Sequence, residues 1–123
     1  MKEPYRVQVS ERARRRADLV MQIVAVRLDT PIPVVVRGAR VSPAALRARR
    51  VSMYLAHVAL GWQLERVGHA FGVNRQTASN ACRRIEDARD EPRLDALLDQ
   101  LEDAIRAVCE ASPPDLPDVS EAA

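Results

Sequence analysis

The segment FGVNRQTASNACRRIE, residues 71–86, follows a glycine with a run whose polar members are arginine, carboxamide and hydroxyl. These groups suit the edges and phosphates of nucleic acid. Gln and Asn pair bidentately with adenine and Arg with guanine, while Ser or Thr serves a base or a phosphate. If the run is a helix, stepping 100° per residue puts Ala78, Ala81, Cys82 and Ile85 within one arc of about 100°, the face that must be buried. Gln76, Asn80 and Arg83 lie opposite, Ser79 and Arg84 flank them, and Arg75 projects from the start. Arg75, Gln76, Ser79, Asn80 and Arg83 are thus the expected base-reading residues, with Thr77 and Arg84 directed to the backbone.

Such a helix needs something to hold it. Asn74 is a good N-cap, because its side-chain oxygen can accept the free N–H of Gln76 or Thr77. Gly72 turns the chain, and WQLERVGHAFG before it supplies a short helix with Leu64, Val67, Ala70 and Phe71 on its inward stripe. Residues 64–86 therefore read as a helix-turn-helix, in which small inward residues let the second helix sit close while its far side is offered to a major groove. The same geometry also occurs in proteins that bind no DNA.

Upstream, Ser42 and Pro43 read as N-cap and first residue of a helix running to about Ala59. From Val51 to Leu60 it is apolar nearly all round, Ser52 and His57 excepted, which places it in the middle of a core. Its first turns are crowded by Arg47, Arg49 and Arg50, where the helix dipole disfavours cations. With Arg37 and Arg40 in the loop RGARVS they make five arginines within 14 residues, and no Asp or Glu occurs between Thr30 and Leu64. A bound anion accounts for this better than helix stability does, so all five are expected at phosphates or the minor groove.

Residues 1–93 hold 18 Lys+Arg against 9 Asp+Glu, and residues 94–123 hold 1 against 8, so a net charge of +2 conceals a basic body and an acidic end. That division suggests a polyanion partner for the body. Helical spacing without period-2 alternation makes the class all-α, and 123 residues with 47% hydrophobic positions allow one compact domain. Ser10 caps a first helix to about Leu28, with Val20, Ile23, Val24 and Arg27 on its inner side, and Pro31 and Pro33 end it. No apolar run is long enough for a membrane helix and MKEPYRVQVS has no signal-peptide core, so a cytoplasmic, nucleoid-associated protein is expected. Cys82 and Cys109 match no zinc or redox spacing and read as reduced thiols.

ARRVSMYLAHVALGWQLERVGHAFGVNRQTASNACRRIED resembles the C-terminal DNA-binding domain, domain IV, of the bacterial replication initiator DnaA. The likeness covers roughly residues 12–92 and is most specific in RRVSMYLAHVAL, LERVGHAFG and ACRRIE. It implies a helix-turn-helix packed on a long central helix, with a basic loop and an arginine, here Arg49 beside Arg47, at phosphates or the minor groove. The family's Asp-His-Thr-Thr motif falls on Asn74, Arg75, Gln76 and Thr77; only Thr77 is retained, and the turn is one residue shorter. Poor binding to the initiator's box is therefore expected. FGVNRQTAS is instead similar to the Gly-Val-Ser-Arg-Gln-Thr turn of ordinary transcription regulators. The family's ATPase phosphate loop has no counterpart in this sequence. A stand-alone domain of this kind resembles the DNA-binding part of the alphaproteobacterial activators of gene transfer agent genes, where a second polypeptide or domain engages RNA polymerase.

A last amphipathic helix, about 93–111, lies beyond the resemblance. Its stripe of Leu94, Leu97, Leu98, Leu101, Ala104, Ile105 and Val108 permits folding back on the domain, docking a partner, or pairing with its own copy. Residues 112–123 form an acidic, Pro-rich tail expected to be disordered. Trp62 is expected to open the second short helix at the domain edge. His57 and His69 have no Cys or carboxylate set at ligand spacing, so no metal, no cofactor and no catalytic set is expected. The readings that remain are a double-stranded-DNA-binding transcription regulator, a replication-control factor on origin DNA, and a protein-interaction adaptor working through the last helix. A single copy would read few base pairs, which points to a homodimer or a protein partner.

Overall fold

A computed structural model of the chain describes residues 10–30 and 42–111. Helices α1 (Glu11–Arg27) and α2 (Pro43–Val58) both begin where a serine side chain accepts a backbone N–H: Ser10 from Ala13 at 3.1 Å and Ser42 from Ala45 at 3.2 Å. Pro43 sits in the first turn of α2, where its missing N–H costs nothing. The order continues with α3 (Leu64–Phe71), α4 (Arg75–Ala88) and α5 (Pro92–Glu110), and the described residues contain no strand. The fold is all-α.

As its composition requires, α2 is the axis. Val51 to Ala56 are buried without interruption, and α2 packs against each of the other four helices. Ser52 is tolerated at full burial because its hydroxyl donates to the Ala48 carbonyl at 2.8 Å. Against α2, α1 lays Ala13, Ala17, Val20, Met21, Val24 and Ala25. Arg27, expected on that inner side, is exposed and reaches Gln100 Oε1 at 3.3 Å, because the inward arc is already filled by aliphatic side chains.

Between α2 and α3 the chain turns at Gly61, whose φ of 73° lies in the left-handed region. His57 Nδ1–H donates to the Trp62 carbonyl at 2.7 Å across this turn. Trp62 corrects the sequence reading: it precedes α3, is 6% exposed, and belongs to the core, with the Arg66 guanidinium 5.7 Å from its ring centre. A large ring beside a tight turn can fold under the helix that follows it.

The last helix also finds its place. Leu98, Leu101 and Ile105 are 0–2% exposed and join the same core as α1 and α2, with Leu94 and Leu97 packed at its margin. Arg16 donates to the Cys109 carbonyl and Arg106 to the Val58 carbonyl, each at 3.0 Å. Leu98, Leu101 and Ile105 are therefore not a docking stripe for a partner or a second copy. Their apolar surface is consumed within the chain, and of the stripe Ala104 and Val108, the latter 56% exposed, are open to solvent. Residues 31–41 with Arg37 and Arg40, expected from sequence to be a basic loop, the N-terminal nine residues and the segment 112–123 lie outside the described residues.

Candidate nucleic-acid interface

Helices α3 and α4 are joined by a turn in which three local devices agree. Gly72 caps α3 in the left-handed conformation (φ 73°), and Val73 N–H reaches back to the Gly68 carbonyl at 2.8 Å. Asn74 Oδ1 accepts the Thr77 N–H at 2.7 Å and so starts α4. Gly68 lets the two helices close on each other, since a Cβ there would stand 2.7 Å from the Val73 carbonyl oxygen. Sequence reasoning passed over Gly68, although a glycine inside a short helix is a usable sign of close backbone approach.

On this frame α4 buries Ala78, Ala81, Cys82 and Ile85, the four residues expected inside. Burial pushes the Cys82 thiol up to about 11, so it remains protonated near neutral pH. Arg75, Gln76, Thr77, Asn80, Arg83 and Arg84 are exposed and Ser79 is half-buried. Gln76 Nε2 donates to Asn80 Oδ1 at 3.1 Å, pairing two side chains one turn apart. The pairing leaves the Asn80 amide donors and the Gln76 carbonyl unused on two exposed residues, which is the donor-acceptor set that an adenine edge matches.

The structure brings the entrance of α2 beside this face. Arg49, Arg50, Thr77, Asn80 and Arg84 share a cleft between α2 and α4, floored by Met53, Val73 and Ala81 and lined by no carboxylate. Arg49 is half-buried and gives one N–H to the Phe71 carbonyl at 3.0 Å, where the α3 dipole is negative. Arg47 is exposed at the same end of α2. Arg75 stands apart from the cleft, in a hollow with Gln63, Leu64 and Glu65 at the start of α3, and Arg83 does not line the cleft. Arg47, Arg50, Arg75, Arg83 and Arg84 have no hydrogen-bond or ion-pair partner among the described residues.

A second polar cluster, at the other end of α4, was missed from sequence. Arg89, 14% exposed at its side chain, donates to Asp95 Oδ1 at 2.6 Å, Glu102 Oε2 at 2.6 Å, Asp99 Oδ1 at 2.5 Å, the Asp95 carbonyl at 3.3 Å and Tyr54 Oη at 3.0 Å. Tyr54 in turn donates to Glu86 Oε1 at 2.7 Å. Burial works against the guanidinium charge, but the bonds to Tyr54, Glu102 and Asp95 outweigh it and raise its proton affinity above the ordinary value. Burial, and next the bond to Glu86, raise the Tyr54 phenol likewise, while Arg89 pulls it back. The signal was present: Asp95, Asp99 and Glu102 fall at i, i+4 and i+7, a carboxylate row on one helix face that calls for a cation opposite.

Among the described residues no group of His, Cys, Asp or Glu could hold a metal ion, and no helix is long and apolar enough to cross a membrane. Both cysteines are free thiols, Cys82 buried and Cys109 half-buried. No family model and no curated protein matches the chain by sequence. By structure, the chain is similar to the crystal structure of a DNA replication initiation factor, with a TM-score of 0.68 and 20% identity over 76% of this chain and 29% of that one. The likeness establishes the fold, the domain IV-like helical bundle expected from the resemblance, and the chain spans less than a third of that protein's length.

Proposed function

We propose that the chain binds double-stranded DNA sequence-specifically and acts as a transcription regulator, a binding protein with no catalytic step. In this reading α4 enters the major groove with Arg75, Gln76, Ser79, Asn80 and Arg83 at base edges. Arg47, Arg49, Arg50, Thr77 and Arg84 hold the phosphates, and Arg37 and Arg40 reach backbone or minor groove from the preceding loop. The observation that carries it is a cleft without carboxylates lined by Arg49, Arg50 and Arg84, with Arg47, Arg75 and Arg83 elsewhere on the same two helices and likewise without an ion-pair partner among the described residues. A structural role would have supplied counter-ions, as it does at Arg89.

The fold of a replication initiation factor favours a second reading, occupancy of origin DNA for replication control. The loss of every residue of the initiator motif but Thr77 weighs against it, whereas the resemblance to activators of gene transfer agent genes supports activation with a protein partner that engages RNA polymerase. The adaptor reading loses its basis with the burial of Leu98, Leu101 and Ile105.

Selection of duplexes from a random pool, followed by affinity measurement at rising salt, tests the proposal. A recovered motif and a linear fall of log affinity with log salt are the expected outcome. Failure to enrich any duplex would overturn sequence-specific binding. Crosslinked occupancy across the genome then separates promoter peaks from origin peaks.

A further inference from the structure

Recognition by α4 requires its roll about its own axis to be fixed, because base-reading groups must be held within about 0.5 Å of their productive positions. The inner face of α4 supplies limited restraint: Ala78 and Ala81 are small, and only Cys82 and Ile85 give it relief. Its first turn is held by the Asn74 cap and the close approach at Gly68. Its last turn is held by Arg89, whose five N–H groups are all engaged, to α2 through Tyr54 and to α5 through Asp95, Asp99 and Glu102. Glu86, one turn earlier on α4, is bound to the same Tyr54 hydroxyl. The α4 end thus has two attachments to one phenol and four acceptor sites on α5, a geometry only a planar five-donor fork can fill.

We propose that Arg89 is a positioning residue for sequence recognition: with Tyr54, Asp95, Asp99 and Glu102 it sets the roll of α4, so that α5 governs base preference without touching DNA. The inference rests on the DNA-binding reading. It also explains why α5 is acidic although it belongs to a basic domain, since three of its carboxylates are spent on Arg89.

The test compares the wild-type chain with Arg89→Gln and Tyr54→Phe, each below its own thermal midpoint, on the duplex recovered by selection and on a scrambled duplex of equal composition. Arg89→Gln is expected to lower discrimination between the two about tenfold, comparable to losing one base pair of the site. The salt slope should stay at its wild-type value, because no phosphate contact is lost. Arg89→Lys, which offers three donors from a point charge, should restore only part of the discrimination. Tyr54→Phe should cause a smaller loss in the same direction, and it carries the test if Arg89→Gln does not fold. Wild-type discrimination in the folded variants would overturn the proposal, as would an equal loss on both duplexes with a shallower salt slope, which would make Arg89 a phosphate ligand. Amide chemical shifts of the free proteins separate the two levels of the argument. Changes spread along Gln76 to Arg84 support positioning, and changes confined to the neighbours of Arg89 refute it, even should the wild type show no sequence preference and the DNA-binding reading itself fall.

Discussion

The two ends of the α4 neighbourhood use arginine in opposite ways. At the end bordering the entrance of α2, Arg50 and Arg84 line a cleft with no carboxylate in it, and Arg47, Arg75 and Arg83, outside that cleft, have no ion-pair partner among the described residues. At the other end, one guanidinium is surrounded by three carboxylates and a phenol and is largely removed from solvent. A fold that needs a cation supplies its counter-charges from neighbouring helices; a surface that is to meet a polyanion leaves them out. The contrast separates residues whose removal should be felt in stability from those whose removal should be felt on DNA.

The largest effect belongs to the structural side. Leu98→Ala, at a fully buried site joining α5 to the core, should cost about 2–5 kcal/mol in a denaturant titration and lower the thermal midpoint by about 10 °C or more. A loss below about 1 kcal/mol would mean that α5 is only loosely docked. Next come two exposed residues of the cleft, where the comparison predicts unchanged melting. Asn80→Ala should forfeit about 1–3 kcal/mol of preference for the selected duplex over a scrambled one. Arg84→Ala should weaken both duplexes alike and reduce the salt slope by about 1. If the two variants behaved identically, the division between base and backbone contacts would be lost.

Gly68→Ala probes the joint between the helices. A Cβ placed 2.7 Å from the Val73 carbonyl meets backbone that cannot swing aside, so the ~1 kcal/mol helix-propensity gain of Ala should be exceeded, giving a net loss of about 1–2 kcal/mol. A neutral result in calorimetry would show that the turn has slack. The smallest effect is expected from Asn74→Ala, about 1 kcal/mol for a lost N-cap, again read by thermal melting.

Much of this was legible in the chain because it depends on local chemistry. The caps Ser10, Ser42 and Asn74, the left-handed Gly72 and the buried arc Ala78, Ala81, Cys82 and Ile85 are each decided within a few residues, where backbone hydrogen-bond needs and helical period leave little choice. What escaped depends on residues distant in sequence. Arg89 lies 35 positions from Tyr54, and its role exists only when α2 and α5 meet beside α4. Trp62 could be read as an edge residue until the turn at Gly61 folded it inward.

By itself, then, the sequence determined an all-α chain, the limits of its helices, a helix-turn-helix with a polar outer face, and an excess of arginine without local counter-ions. Tertiary structure alone decided that Arg49, Arg50 and Arg84 share one cleft, that Arg89 is a junction rather than a surface charge, and that the stripe of α5 faces inward. The physical reason is the range of the forces involved. Capping, propensity and amphipathic period act within one or two turns of helix, whereas an apolar stripe specifies only that it be covered, and several partners satisfy that requirement equally until the packing of α1 and α2 leaves room for one.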